Sequence, residues 1–498
     1  MRSTESATLR RPAFVAVTAV QFMIVVVSGS TTMALPAVKD GLGAGDAGLQ
    51  WFAALFALAY SLVLVVGGRL GDLRGTRRLL LLGFGGYVAA LALAAVAPDL
   101  PVLLGARVLQ GLSAGLMAPQ LSAVIQRTYT GHARTRAFAV YLTAAGAAFS
   151  VGQLAGGALM SADPWGLGWR WSFVPFVPLG VAAWVLVHRS VPEFRPESGG
   201  RLDGVGAALL ALTALFVMFP IVQGRSAGWP VWIVAMLVAT VPAFAVFLRV
   251  ERWVRARGGA PIVNPDLFRV PSFRAGNVIT VLVGLACAAL PLYLVLTLQL
   301  GFGRNAFAAA LVACPMPIAN MAGSLVTAPL VRRLGRGAVA IGAGATGVAA
   351  ALILITISGG ADSVAVVTLL PGIVLVGFSL GVSITSITAI VLSEVPVADA
   401  GSAAGVQATG LQLASAVGIA VSGIAFFGTV GGRDGLQPYL DGLGWVMWIT
   451  IAFTVAQVAL TFLLPRRTAR SLDEIPFADP ELFVVPDLHA RPDGEHRG

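Results

Sequence analysis

Fourteen apolar segments recur along the chain, and each is long enough to cross a membrane as an α-helix. A helix needs about 20 mostly apolar residues to span roughly 30 Å of hydrocarbon. The sequence therefore predicts an all-α polytopic membrane protein. The predicted spans cover approximately residues 13–38, 49–68, 79–97, 101–125, 137–160, 171–188, 204–223, 229–248, 275–299, 306–331, 337–358, 363–392, 400–428 and 443–464.

Composition narrows the function classes further. Charged residues make up 11% of the chain, and the mean hydropathy is +0.86. Lysine occurs once, at Lys39, so no Gly-x-x-x-x-Gly-Lys phosphate loop exists, which argues against an ATP-driven pump. Cys287 and Cys314 lie in apolar segments without metal-ligand spacing, and the four histidines form no cluster. We therefore expect no enzyme, no metal site, no cofactor and no nucleic-acid partner.

The distribution of basic residues predicts the orientation. Lys and Arg are enriched on the cytoplasmic side of membrane proteins. In this chain the predicted outer loops hold only Lys39, Arg170, Arg225, Arg304 and Arg433, and one arginine lies inside a span. All other Lys and Arg residues lie in the segments on the opposite side of the membrane from these loops. Those segments are cytoplasmic if both termini are cytoplasmic. The first apolar segment is too long for a signal-peptide core. We therefore expect a multi-pass protein of the bacterial inner membrane with cytoplasmic N- and C-termini.

The spans are grouped as six, two and six. Close-packing glycine pairs with i, i+4 spacing support a repeat: Gly111/Gly115 and Gly152/Gly156 correspond to Gly377/Gly381 and Gly401/Gly405 in the second six. The predicted divisions are an N-terminal six-helix bundle (1–190), a linker with two extra spans (191–273), a C-terminal six-helix bundle (274–465) and a disordered cytoplasmic tail (466–498).

A glycine- and arginine-rich segment, 67–78, separates the second and third spans. Its candidate residues are Gly68, Leu70, Gly71, Asp72, Gly75, Arg77 and Arg78. One interpretation is a solubilising turn. The other is a cytoplasmic gate, because the pattern G-x-L-x-D-x-x-G-x-R resembles the motif between the second and third helices of the major facilitator superfamily. A degraded copy without an acidic residue, 329–336, follows the tenth span.

The fourth span carries an arginine within apolar sequence. Arg107, Gln110 and Gly111 share one helix face, and a charge inside a span is costly unless it faces water, a partner or a substrate. The pattern resembles the second motif of the same superfamily, R-x-x-Q-G. The alternative is a cation whose long side chain reaches the nearby membrane interface.

The fifth span contains Gly152, Gln153, Gly156 and Gly157. This run resembles the G-P-x-x-G-G signature of the superfamily's antiporters, with Gln153 in place of the proline. Simple helix packing by glycines is the alternative interpretation.

Together with the span count, these motifs resemble the fourteen-helix drug:proton antiporter branch of the superfamily. The resemblance implies two pseudo-symmetric six-helix bundles that rock about a central site, with protons as the coupling ion. The branch usually has an aspartate in its first span, and Val27 stands in that place here.

Neutral polar residues are the remaining candidates for a substrate cavity. Gln21, Ser28 and Thr32 form one stripe of the first span, and Gln299 and Asn320 lie in the second half. Each could instead form a helix-to-helix hydrogen bond. We expect a monomeric exporter of small amphipathic compounds that works by proton antiport. The alternatives are a proton-independent facilitator or anionic-metabolite transporter of the same fold, and a membrane sensor that does not transport.

Overall fold

The computed structural model describes residues 2–194, 204–224, 227–257, 263, 265–395, 400–433 and 435–464. Within these ranges, the side chains of residues 2–11, 65, 69, 72, 131, 132, 135, 139, 265 and 400–402 are not described. The described chain is helical, and fourteen of its segments are long and apolar enough to cross a membrane. The predicted number of spans is therefore confirmed.

We number the spans 1 to 14 in chain order. Spans 1 to 6 are the helices Arg2–Met33, Asp46–Arg74, Thr76–Ala95, Leu100–Thr128, Gly131–Ala162 and Phe176–Ser190. Spans 7 and 8 are Gly204–Gln223 and Val231–Ala256. Span 9 consists of Pro271–Cys287, Ala289–Leu296 and the π-turn Thr297–Gly301, and span 10 of Ala306–Ala313 and Pro315–Leu334. Spans 11 to 14 are Gly337–Ile357, Leu370–Ser393, Ala400–Val430 and Gln437–Thr461. The short elements are the helix Leu35–Leu42 and the 3-10 turns Gly168–Ser172, Pro265–Arg269 and Val366–Leu369.

Several predicted span ends differ from the observed ones. The first predicted span is divided at Ala34, and the new helix Leu35–Leu42 has proline in its first turn, where no backbone N–H is needed. Span 8 continues to Ala256, eight residues beyond its predicted end. Span 8 therefore includes Glu251, which lies beyond the predicted end at residue 248 and is fully buried. One oxygen of its carboxylate accepts a hydrogen bond from the backbone N–H of Val263, at 2.9 Å.

The spans pack in the same way in each half of the chain. In the first half, span 4 packs on spans 2 and 3, and span 1 packs on spans 5 and 6. In the second half, span 12 packs on spans 10 and 11, and span 13 and span 14 pack on span 9. The two sets of helix contacts correspond when span 9 is matched with span 1, span 10 with span 2, and so on to span 14 with span 6. The described helices therefore form two pseudo-symmetric groups of six.

The two halves meet along equivalent pairs of spans. Span 2 packs on span 13, and span 5 packs on span 10. Span 7 packs against both span 2 and span 13, whereas span 8 packs mainly on span 7. Because the number of spans is even, the two ends of the described chain, residues 2 and 464, lie at one face of the bundle. We call it the terminal face, and the opposite one the distal face.

Glycine allows the closest helix contacts in both halves. A Cβ on Gly115 would lie 2.5 Å from the carbonyl oxygen of Tyr60 in span 2. A Cβ on Gly381 would overlap the carbonyl oxygen of Asn320 in span 10. The repeated pairs in spans 4 and 12 thus make equivalent contacts. In span 13 the close contact on span 9 is at Gly418, while Gly401 of the predicted pair lies outside the described side chains.

Candidate transport site

A polar stripe runs along one face of span 1. Gln21, Ser28 and Thr32 are half-buried and share one helix face, while the other faces of span 1 pack on spans 4, 5 and 6. The Thr32 hydroxyl donates to the Ser28 carbonyl at 2.9 Å, so its oxygen lone pairs remain available as acceptors. Val27 points away from this stripe and is 1% exposed. A carboxylate at position 27 would therefore be buried.

A tyrosine of span 5 orients the amide of Gln21. The hydroxyl of Tyr141 donates to Gln21 Oε1 at 2.9 Å, and the phenol ring is almost fully buried. The ring of Phe138 packs edge-on against it, with centroids 6.4 Å apart. Because its oxygen is engaged, Gln21 presents its two amide N–H donors to the stripe. Tyr141 was not predicted from the sequence. A single tyrosine in an apolar segment does not indicate which residue its hydroxyl will bind.

Arg107 is buried between spans 4 and 2, and is 6% exposed. Its Nε donates to the carbonyl of Phe52 at 3.2 Å, and a terminal nitrogen donates to Gln110 Oε1 at 3.0 Å. The guanidinium also lies 5.0 Å from the ring centroids of both Phe52 and Phe56. This arrangement is a cation held by two rings and two acceptors, and the interpretation of Arg107 as a side chain reaching the interface is wrong.

The side chains at Arg107 offer more hydrogen-bond donors than acceptors. Gln110 is fully buried, and its Nε2 has no hydrogen-bond partner among the described residues. Tyr87, also fully buried, lies close enough to interact electrostatically with the guanidinium. The fixed charge and the spare amide donor of this cluster suit a negatively polarised group.

The segment between spans 2 and 3 forms the tight turn that the sequence predicts. Gly75 separates the two helices with φ of 94°, a conformation that favours glycine. The Gln120 amide packs against Gly71, where a Cβ would overlap it. This amide donates to the Gly67 carbonyl at 2.7 Å. Of the other predicted gate residues, Gly68 approaches Pro119, Leu70 is half-buried and Arg78 is exposed. The side chain of Asp72 lies outside the described residues.

An arginine after this turn binds the end of span 6. Arg77 donates to the carbonyl of His188 at 2.6 Å and pairs with Glu193 at 3.4 Å. Arg127 of span 4 donates to the Thr76 hydroxyl at 3.0 Å. Backbone carbonyls at a helix C-terminus lack partners within the helix, so a cation there is favourable. The turn between spans 2 and 3 thereby fastens the last helix of the first half.

The degraded copy of the motif performs the same task in the second half. Arg336 donates to the carbonyls of Phe462 and Leu464, both at 2.9 Å, at the end of span 14. Its guanidinium also lies 5.6 Å from the Phe462 ring. Spans 6 and 14 are the sixth helices of their halves. An arginine thus caps the C-terminal end of the sixth helix in each half.

Replacing Arg336 by alanine is expected to lower the stability of the second half by about 1 kcal/mol, because two carbonyls lose a cationic donor. Thermal unfolding in detergent would measure the effect. Arg332→Ala is the control, since Arg332 is exposed in the last turn of span 10. Equal losses in the two variants would contradict the capping role.

The glycine run of span 5 contacts two partners. A Cβ on Gly152 would overlap the Val26 carbonyl oxygen, and one on Gly156 would overlap the Ser30 hydroxyl, both in span 1. A Cβ on Gly157 would lie 2.7 Å from the Ala306 carbonyl oxygen in span 10. Gln153, on the same continuous helix, is fully buried. This run therefore lies where spans 1, 5 and 10 meet.

The two predicted cavity residues of the second half lie apart from the stripe of span 1. Gln299, in the π-turn of span 9, donates to the Met33 carbonyl at 3.1 Å and so joins the halves at the distal end of span 1. Asn320 lies half-buried on span 10, and its carbonyl accepts the Ser324 hydroxyl at 3.1 Å.

Further contacts join the halves on the same side. The Ser161 hydroxyl accepts from the backbone N–H of Phe307 at 2.9 Å, and the Ser150 hydroxyl donates to the Cys314 carbonyl at 3.1 Å. A small apolar cluster of Met33, Val295, Ala310 and Ala313 packs spans 1, 9 and 10 together there. Toward the terminal face, a separate cluster that includes Phe273 and Val391 contains second-half residues alone among those described. These contacts fasten the halves at the distal face, and toward the terminal face Val66 of span 2 and Val406 of span 13 belong to one apolar cluster with Phe247 of span 8.

Two pseudo-symmetric groups of six membrane-spanning helices are the arrangement expected of a transporter. The chain belongs to the Major Facilitator Superfamily, whose family model matches residues 17–419. Members of this family are transporters rather than enzymes.

Several similar proteins have names that refer to the transport, export or efflux of drugs or antibiotics. A probable actinorhodin transporter of Streptomyces coelicolor is 34% identical over 402 residues, which cover 80% of this chain and 70% of that protein. The cephamycin export protein CmcT of Amycolatopsis lactamdurans is 30% identical, and the aligned region covers 84% of this chain and 85% of that protein. The multidrug efflux pump LfrA of Mycolicibacterium smegmatis is 27% identical, with coverage of 82% and 80%.

Solved structures support the fold. An auto-inhibited peptide transporter of the POT family superposes with a TM-score of 0.68 at 16% identity, covering 93% of this chain and 98% of that one. A bacterial homolog of the human lysosomal transporter Spinster, in an inward-facing and unoccupied conformation, superposes with a TM-score of 0.64 at 16% identity, covering 91% and 96%.

Proposed function

We propose that the protein exports small amphipathic compounds across the bacterial inner membrane by alternating access, with protons as the coupling ion. The observation that carries the proposal is the closure of the two halves at the distal face beside a neutral polar stripe on span 1. Relatives named as a cephamycin export protein and a multidrug efflux pump support the direction, and these two together with a probable actinorhodin transporter support the substrate class.

The terminal face is proposed to be cytoplasmic, because the arginines of the turns between spans 2 and 3 and between spans 10 and 11 lie there. The closure at the distal face would then correspond to an inward-facing state. We propose a monomer with functional divisions at residues 1–190, 191–273 and 274–465. Within it, Arg107 and Gln110 would bind the polar end of a compound, and the span 1 stripe would line its path.

An efflux assay tests this function. Cells of a pump-deficient host that express the protein should accumulate less of a neutral or anionic amphipathic dye than cells with an empty vector. Susceptibility across a panel of anionic, neutral and cationic antimicrobials would define the class. Equal accumulation and equal susceptibility, with the protein present in the membrane, would contradict export.

A facilitator or anion-linked transporter without proton coupling is the second candidate. Val27 favours it, since this position is buried and carries no acid in the first span. Flux of the same dye in proteoliposomes separates the two candidates. Flux that falls when the pH gradient is collapsed supports antiport, whereas flux that persists undiminished supports the facilitator.

A further inference from the structure

Two buried glutamines lie at the two junctions between the halves. Gln153 of span 5 lies on the helix face between Gly156, which contacts span 1, and Gly157, which contacts span 10. Gln50 of span 2 lies against span 13, since a Cβ on Gly423 would come within 2.7 Å of its amide carbon. These junctions are equivalent in the two-fold arrangement of spans 2 and 13 with spans 5 and 10.

The two amides lack part of their hydrogen bonding. Gln153 is 0% exposed, and neither its Oε1 nor its Nε2 has a hydrogen-bond partner among the described residues. Gln50 is 4% exposed, and its Oε1 is likewise unpaired. The nearby Tyr293 hydroxyl is engaged elsewhere, because it donates to the Ile419 carbonyl at 2.6 Å. Burying an amide without a partner raises the free energy of the state in which it is buried.

Both glutamines lie in the distal part of their spans. Gln50 is in the first turn of span 2, which begins at the distal face, and Gln153 is nine residues before the end of span 5 at that face. Separation of the halves at the distal face would bring water to both amides. The unpaired amides therefore raise the free energy of the state that is closed at the distal face. They do not raise the free energy of the state that is open there.

We propose that Gln50 and Gln153 are conformational elements of the distal gate, which bias the transporter toward opening at that face. This inference rests on the alternating access proposed above. Methionine has a similar volume and flexibility and no amide, so Gln→Met keeps the packing and removes the penalty.

A labelling experiment tests the gate separately from transport. A reporter cysteine is placed at Ala310, which is 0% exposed at the distal junction, after Cys287 and Cys314 are replaced by alanine. A membrane-impermeant maleimide is then applied from the distal side, and the labelling rate reports how often this face opens. Labelling can be measured without a substrate. A protein that labels normally but moves no dye would thus contradict the export function and leave the gate intact.

Gln50→Met and Gln153→Met are each expected to slow labelling about tenfold and to raise the melting temperature, because the closed state loses its unpaired amide. Gln407→Met is the matched control. Gln407 is also buried, but it donates to Thr280 and Thr388 within the second half, so its replacement should leave labelling unchanged. Unchanged or faster labelling in both test variants, or a loss of stability in both, would overturn the proposal.

Discussion

Gly152→Ala should reduce transport to below about one tenth of the wild-type rate. The added methyl group would overlap the Val26 carbonyl oxygen and come within 2.9 Å of its Cα, so spans 1 and 5 must move apart. Backbone atoms cannot rotate away as a flexible side chain can, and overpacking of this kind costs about 1–3 kcal/mol or more. The displacement would also disturb Gln21 and Tyr141, which bridge the same two spans. Dye efflux normalised to the amount of protein in the membrane measures the effect.

The matched control is Gly344→Ala in span 11. A Cβ at Gly344 would meet nothing within 4 Å, so the substitution should keep full transport and leave stability within about 0.5 kcal/mol of wild type. Normal efflux by Gly152→Ala would mean that the glycine run of span 5 does not require the close contact that we describe.

Arg107→Leu is the second substitution with a large expected effect. Efflux should fall by about 100-fold, because the only charge that the sequence places inside a predicted span would be removed. The fold should tolerate the change, since a leucine between the rings of Phe52 and Phe56 replaces a costly buried cation by apolar packing. Efflux assays and thermal unfolding of the same preparation separate the two effects.

Arg107→Lys refines the test. Lysine keeps the charge but cannot donate in a planar fork to both the Phe52 carbonyl and Gln110, so we expect partial transport. If Arg107→Leu transported normally, or if it were lost from the membrane through misfolding, Arg107 would be a structural residue rather than part of the transport site.

The sequence predicts what depends on local pattern. Long apolar runs define the spans, because insertion of a segment into the membrane depends on the residues within that segment. Glycine beside arginine defines the turn at Gly75, because a left-handed backbone conformation also depends on residues close together in the sequence. Gly115 and Gly381 were found in the same way, since their spacing alone marks a close helix contact. The end of span 8 was misplaced because Glu251 and its neighbouring arginines lower the local hydropathy, although the carboxylate is buried with a backbone partner.

The site itself depends on contacts that the sequence does not encode locally. Tyr141 binds Gln21 across 120 positions, and Arg336 caps a helix 126 positions later. Whether Gln299 lines a cavity or fastens the halves depends on the π-turn that rotates it toward Met33. Helix rotation and register decide these partners, and both are set by the packing of the whole bundle.

Reversible cross-linking of the distal face tests most directly whether the two halves must separate there. The Ser161 hydroxyl lies 2.9 Å from the backbone nitrogen of Phe307 across the halves, so both residues would be changed to cysteine after Cys287 and Cys314 are replaced by alanine. Transport of the amphipathic dye should stop when the pair is oxidised and recover when it is reduced, while each single-cysteine variant stays active throughout. Full transport by a completely cross-linked protein would contradict alternating access at this face.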